Sequence, residues 1–255
     1  MDLNSKNRIE GGFIFMIEFT NLFLYFVIYS FLGWVLETAF VSIKERKLIN
    51  RGFLTACFCP IYGFAAILII KFSSLITMNM KNYYLSTFVS ILLSIILVSA
   101  LEYLTGFVLE LIFNCKWWDY SDNFANLHGY ICLKYSLLWG LLGFILIQVI
   151  HPLILQEVIN IPVQIKLYYS LILISYFIMD TIKSIIDALD LKKVIFNYSN
   201  FTINKYYQKI LKYQRIFRAY PRLMILNAGI INRDIRSILN DRIDKIKMEL
   251  KNRLQ

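Results

Sequence analysis

Charge is scarce in this sequence, and so are histidine, cysteine and proline. Asp, Glu, Lys and Arg make up only 17% of its 255 residues, where a soluble domain carries about 25%. A chain with so little polar surface cannot coat itself in water. That excludes an ordinary soluble enzyme, a disordered chain and a nucleic-acid-binding factor. Four cysteines exclude a disulfide scaffold, and the C-x-C pair Cys57/Cys59 has no second pair at zinc spacing. The two histidines, His128 and His151, fall on opposite sides of the topology that the charges dictate, so no metal site is expected. The G-x-x-x-x-G-K-[ST], G-x-S-x-G and H-E-x-x-H patterns are all missing, and the sequence marks no catalytic residue and no cofactor.

What is present is apolar sequence in long runs. Hydrophobic residues make up 58% of the chain and mean hydropathy is +0.57. A bilayer core of ~30 Å needs ~20 mostly apolar residues as a helix. Five stretches meet that need, near 19–43, 56–76, 83–113, 131–150 and 166–189. The expected fold class is therefore all-α: a polytopic membrane protein of about five transmembrane helices, preceded by a segment 1–18 and followed by a helical tail, 190–255. The first stretch lacks a cleavage site and reads as a retained anchor.

The charges set the orientation. Residues 1–189 hold 12 basic and 12 acidic side chains, so the whole excess of +10 lies in residues 190–255. Cytoplasmic loops collect Lys and Arg. The loop with Lys44, Arg46, Lys47 and Arg51 and the basic tail are both expected in the cytoplasm. That puts the N-terminus outside and leaves residues 78–82 and 151–164 as external loops. Within the tail, apolar residues recur at helical spacing from Ile231 to Leu254 among Arg and Lys, an amphipathic helix suited to a partner or to anionic lipid.

Two segments resemble each other. Gly33-Trp34-Val35-Leu36-Glu37 aligns with Gly106-Phe107-Val108-Leu109-Glu110, Gly52-Phe53 with Gly129-Tyr130, and Tyr62-Gly63 with Trp139-Gly140. The simplest reading is a duplicated helical hairpin, 33–64 with 106–141, in parallel orientation.

The few ionisable residues inside the apolar body are costly there and mark candidate function. Glu102 is the deepest. Glu102, Gly106 and Glu110 share one helix face, and Gly33 and Glu37 repeat the small-residue-then-carboxylate step. One reading is a polar cleft formed by Glu37, Glu102, Glu110, Arg51, Asn50 and Tyr62. The other is structural, with Glu37 and Glu110 paired to Arg51 or Lys134. Asp180, Lys183 and Asp187 form a single polar stripe that can neutralise itself. Ser86, Ser90 and Ser94 suit close helix packing. Trp117, Asp119, Tyr120 and Asn126 are the candidate functional residues of the long cytoplasmic loop. Cys59-Pro60-Ile61-Tyr62-Gly63 reads either as an ordinary proline helix start or as an unwound entry facing Glu37.

Taken as a set, Phe31–Glu37, Asn50–Leu54, Pro60–Gly63, Leu101–Gly106, Trp117–Ser121 and Gly129–Cys132 resemble the CmpB-like family. Its members are bacterial multi-pass proteins of the ABC-transporter "type IV" kind. The resemblance covers roughly residues 20–190. It implies a permease subunit that works with a separate ATPase in a lipid membrane, and five helices would suit a homodimer. Two other readings stay open on the residues alone. One is an intramembrane enzyme acting on a lipid or isoprenoid, with Glu102 and Asp119 as acid and base. The other is a membrane anchor or sensor acting through its tail.

Overall fold

The computed structural model describes residues 3–196, 211–220 and 223–225. The amphipathic stretch 231–254 lies outside the described residues. Among the described residues seven α-helices follow in chain order: α1 Leu3–Glu45, α2 Pro60–Asn79, α3 Tyr83–Phe113, α4 Leu133–Ile145, α5 His151–Asn160, α6 Val163–Phe196 and α7 Gln214–Ala219. The protein is all-α and polytopic. Four of its helical stretches are long and apolar enough to cross a membrane: Gly11–Ile43, Pro60–Asn79, Tyr83–Phe113 and Leu133–Asn160. The fifth expected stretch is α6, with 34 residues; at 1.5 Å per residue it is about 51 Å long.

Local chemistry explains the ends. Asn82 Oδ1 accepts from Leu85 N–H (3.1 Å) and starts α3. Asn114 ends it in the left-handed conformation, its N–H bonded to Glu110 C=O. Both side chains are well suited to these positions. Pro60 opens α2, where a missing N–H is least costly. Residues 56–59, expected to be helical, precede that start; Cys59 is extended at φ −116°.

One boundary differs outright from expectation. Residues 151–164 were assigned to an external loop, but the helix continues to Asn160 through a π-helical turn, Leu146–Ile150. Pro152 is the reason. A proline inside a helix removes one i→i−4 bond and crowds the preceding turn, and one extra residue in the turn absorbs both.

Helices α1 to α4 pack in sequence, each against the next, while α5 returns to α1 and α6 lies against α1 and α3. Tyr25, Tyr29, Ala65, Ala66, Ile69, Val98, Leu146 and Val158 form the core of the bundle. The loops 46–59 and 114–132 meet the end of α6 and residues 211–220 and 223–225 at one end of the bundle. There Phe113, Trp117, Leu191, Tyr213, Ile216 and Leu223 make a second core. Two short antiparallel pairs brace this end. Strand β1 (Cys115–Lys116) pairs with β4 (Met224–Ile225), and β2 (Asn126–Leu127) pairs with β3 (Ile131–Cys132). We call this end the cap.

Candidate functional site: two folded-back loops

The loop 46–59 does not stay at the surface. It folds back along α1, so that Leu54 is buried with Val27 and Phe177 and Cys59 N–H reaches Ser30 C=O (2.9 Å). Non-helical backbone at this depth needs partners for its polar groups. Helix α6 supplies them. Ala56 N–H donates to Asp180 Oδ2 (3.0 Å) and Thr55 N–H to Ser184 Oγ (3.1 Å). Asp180 thus serves the loop backbone, and among the described residues no ion pair joins it to Lys183 or Asp187. The structure corrects the expectation of a self-neutralising ladder at these three residues. Lys183 and Asp187 remain on the same helix, one and two turns on.

Loop geometry then fixes the first carboxylate. Gly52 takes φ +133°, a conformation that side chains strain against, and turns the chain so that Arg51 lies over Glu37. Arg51 Nε donates to Glu37 Oε2 (3.3 Å), and Tyr62 OH donates to Oε1 (2.7 Å). Asn50 is held on both sides, accepting from Trp34 Nε1 (2.6 Å) and donating to Thr55 C=O (3.1 Å). Arg51 also donates to Ala219 C=O and sits 5.2 Å from the centre of the Tyr220 ring. Arg215 clamps the same loop, its guanidinium donating to the carbonyls of Gly52, Phe53 and Leu54 (3.0–3.3 Å). Nothing in the motif spacing pointed to Arg215; the basic, aromatic run 205–220 was its only trace in the sequence.

The second loop also folds back, along α3. Tyr120 OH donates to Glu102 Oε1 (3.3 Å), and Trp139 Nε1 donates to Oε2 (2.9 Å). Glu102 is buried between these two neutral donors. Trp139 was not among the expected site residues, although its alignment with Tyr62 carried the signal. The rings of Tyr62 and Trp139 meet edge to face, 5.2 Å apart, and so link Glu37 to Glu102. Glu110 stands apart, accepting from Tyr130 OH (2.8 Å). Lys134 is partner to neither Glu37 nor Glu110 in these bonds.

The remaining loop candidates shape the turn. Asp119 Oδ1 accepts from Ser121 N–H (3.1 Å) and Oγ (2.6 Å) and lies 4.0 Å from Lys116 Nζ. Asn126 ties Ser121 and Asn123 carbonyls to Gly129 N–H, and Gly129 takes φ +76°. Trp117 packs between Phe53 and Tyr220 in the cap core. Burial, with the Glu102 carboxylate beside it, raises the Tyr120 hydroxyl well above the ordinary tyrosine range, so it remains a neutral donor. Burial also pushes the Cys59 thiol up to about 12, with Glu37 adding and Arg51 opposing, and the Cys115 thiol up to about 11, with Lys192 opposing.

A groove opens beside this site between α1, α2, α4 and the π-turn. The glutamates do not line it. Tyr62 and Trp139, which hold Glu37 and Glu102, do, together with Tyr29, Leu36 and Gly33. A second cavity of about 540 Å³ lies away from the cap, lined by hydroxyl side chains such as Ser73, Ser86 and Ser90. Ser73 donates to Ser90 there (3.2 Å), and Ser94 lies against Gly143, the close packing expected of the serine stripe.

Residues 24–185 match the model of a protein family described as "Putative ABC-transporter type IV". No curated protein and no solved structure matches the chain.

Proposed function

This chain belongs to the ABC-transporter type IV family, and from that premise we propose that it is the membrane-embedded permease subunit of a transporter driven by a separate ATPase. The observation that carries the reading is the pair of folded-back loops. Transporters place irregular backbone at membrane depth where it lines a path. Here such backbone brings Arg51 to Glu37 and Tyr120 to Glu102.

In this reading α1 to α5 and α6 cross the bilayer five times. The cap faces the cytoplasm, as the basic loop Lys44–Arg51 and the basic tail require. We read the two hairpins as copies of one unit. In support, Gly52 and Gly129 both take positive φ, and the aligned Tyr62 and Trp139 each donate to a glutamate. Glu37, Glu102 and the aromatic pair between them form the polar part of the path, and a second copy of the chain supplies its other wall.

The ATPase docks on the cap. Leu48 and Phe124 are the most exposed large apolar side chains of the two loops, at 87% and 83%. Apolar side chains left in the open at one end of the molecule mark a contact surface. A photo-reactive residue at position 48 or 124, activated in native membranes, is expected to yield an adduct with an ATPase subunit, while one at Tyr84, at the far end, yields none. Adducts with lipid alone from positions 48 and 124 would overturn the docking surface. The enzyme reading finds little support, because Glu102 and Asp119 engage separate partners and Asp119 is bound into its own turn.

A further inference from the structure

We propose that the groove between α1, α2, α4 and the π-turn is a binding site for a single acyl chain of a membrane phospholipid. It is lined mostly by apolar side chains from α1, α2, α4 and the π-turn, as binding grooves for apolar ligands are. Its long axis follows the helices. From Trp139 to Ile150 its α4 side spans eleven residues, about 16 Å of helix. A slot of that form suits an extended chain.

The lining selects hydrocarbon. Three polar groups stand in its wall, and each is already used by the protein: Tyr62 OH by Glu37, Trp139 Nε1 by Glu102, and Tyr29 OH by His151 Nδ1 (2.9 Å). A ligand that needed hydrogen bonds from them would have to break one of these, whereas a methylene chain needs none. The space between the aromatic rings is left by small residues, Ala65, Ala66 and Gly143.

The π-turn that accommodates Pro152 also shapes the groove. Its first and last residues, Leu146 and Ile150, both line the groove. A π-turn strains the hydrogen-bond ladder and recurs at functional positions, and here it widens the helix where it forms the wall. The occupant follows from the surroundings. The rim residues Leu32 and Leu36 are 38% and 45% exposed within a helix apolar enough to span a membrane. The medium against that rim is lipid, so the chain that enters is an acyl chain. This rests on reading these helices as membrane-spanning and not on ATPase docking, so either can fail alone.

The test is photo-labelling of the full-length protein in bilayer nanodiscs with a phosphatidylcholine carrying a diazirine in its acyl chain, followed by peptide mapping. Adducts are expected on the segments holding Leu36, Leu142 and Ile150. Ala66→Phe fills the groove from inside and Leu36→Trp blocks its exposed rim without touching the core. Each is expected to lower labelling of those segments at least about five-fold, by steric exclusion. Leu111→Trp, at a 73% exposed position elsewhere, should leave labelling unchanged. Should Ala66→Phe impair folding, the rim variant decides alone. Labelling spread evenly over the apolar surface, labelling indifferent to Leu36→Trp, or displacement by an isoprenoid alcohol but not by added phospholipid would overturn the proposal.

Discussion

Arg215 shows how much a single side chain can hold in this protein. Its planar fork satisfies three successive carbonyls of a loop that has no regular partner. Bonds from a charged donor count for about 1.5–3 kcal/mol each when broken, although they do not simply add. Arg215→Ala is expected to destabilise the protein by about 2 kcal/mol or more, read as a lowered unfolding temperature in detergent. Arg215→Lys should recover only part of it, since an ammonium cannot fork across three acceptors. The cysteines give a second check at this scale. The thiolate is the reactive form, and burial holds Cys59 and Cys115 near 12 and 11. Raised values mean less thiolate at any lower pH. With maleimide at pH 8, exposed Cys57 should react first, and Cys115 should gain reactivity only as pH climbs toward 11. Equal labelling of Cys57 and Cys115 at pH 8 would contradict the burial of the cap core.

Among the elements, α6 serves the loop beside it. Its Asp180 and Ser184 act as backbone partners for the loop that enters beside them. Asp180→Ala leaves the Ala56 N–H buried without an acceptor, a loss of about 1–3 kcal/mol. Faster proteolysis within residues 46–59 is the expected readout, and Asp180→Asn, which keeps an acceptor oxygen, should rescue most of it. A proteolysis pattern identical to the native one would mean that the loop is held by other means. This contact also shows where sequence reading stops. The apolar run 83–113 is a local feature of the sequence, and α3 covers Tyr83–Phe113, closed at its ends by Asn82 and Asn114. The start of α2 lies four residues later than expected: Pro60 opens the helix, and the Ala56 N–H before it is taken by Asp180, 124 positions away. The end of α4–α5 was misplaced because Pro152 reads as a stop, and only the packed helix reveals the π-turn that accommodates it. The carboxylates Glu37, Glu102 and Glu110 stood out for their cost in an apolar run. The partners of Glu102 and Glu110, which are Tyr120, Tyr130 and Trp139, belong to the following loop or to α4, so pairing them needed the fold.

At the scale of the whole molecule, the neutral apolar body and the basic tail meet in the cap. Residues 211–220 and 223–225 clasp both loops there, through Arg215, Tyr220 and β4. Movement of the cap is thereby tied to Arg51 and Tyr120, and through them to Glu37, Glu102 and the groove. That is the connection a permease needs between an ATPase on one surface and a path within the bilayer. The most direct measurement is ATP hydrolysis by material purified on the tagged full-length chain from its native membranes, for the native protein and for Leu48→Asp/Phe124→Asp. The chain has no P-loop of its own, so the account predicts hydrolysis brought by a co-purifying subunit and lost in the double variant at undiminished yield of the chain. Native protein that purifies in full yield with no hydrolysis, or a double variant that retains it, would contradict the account.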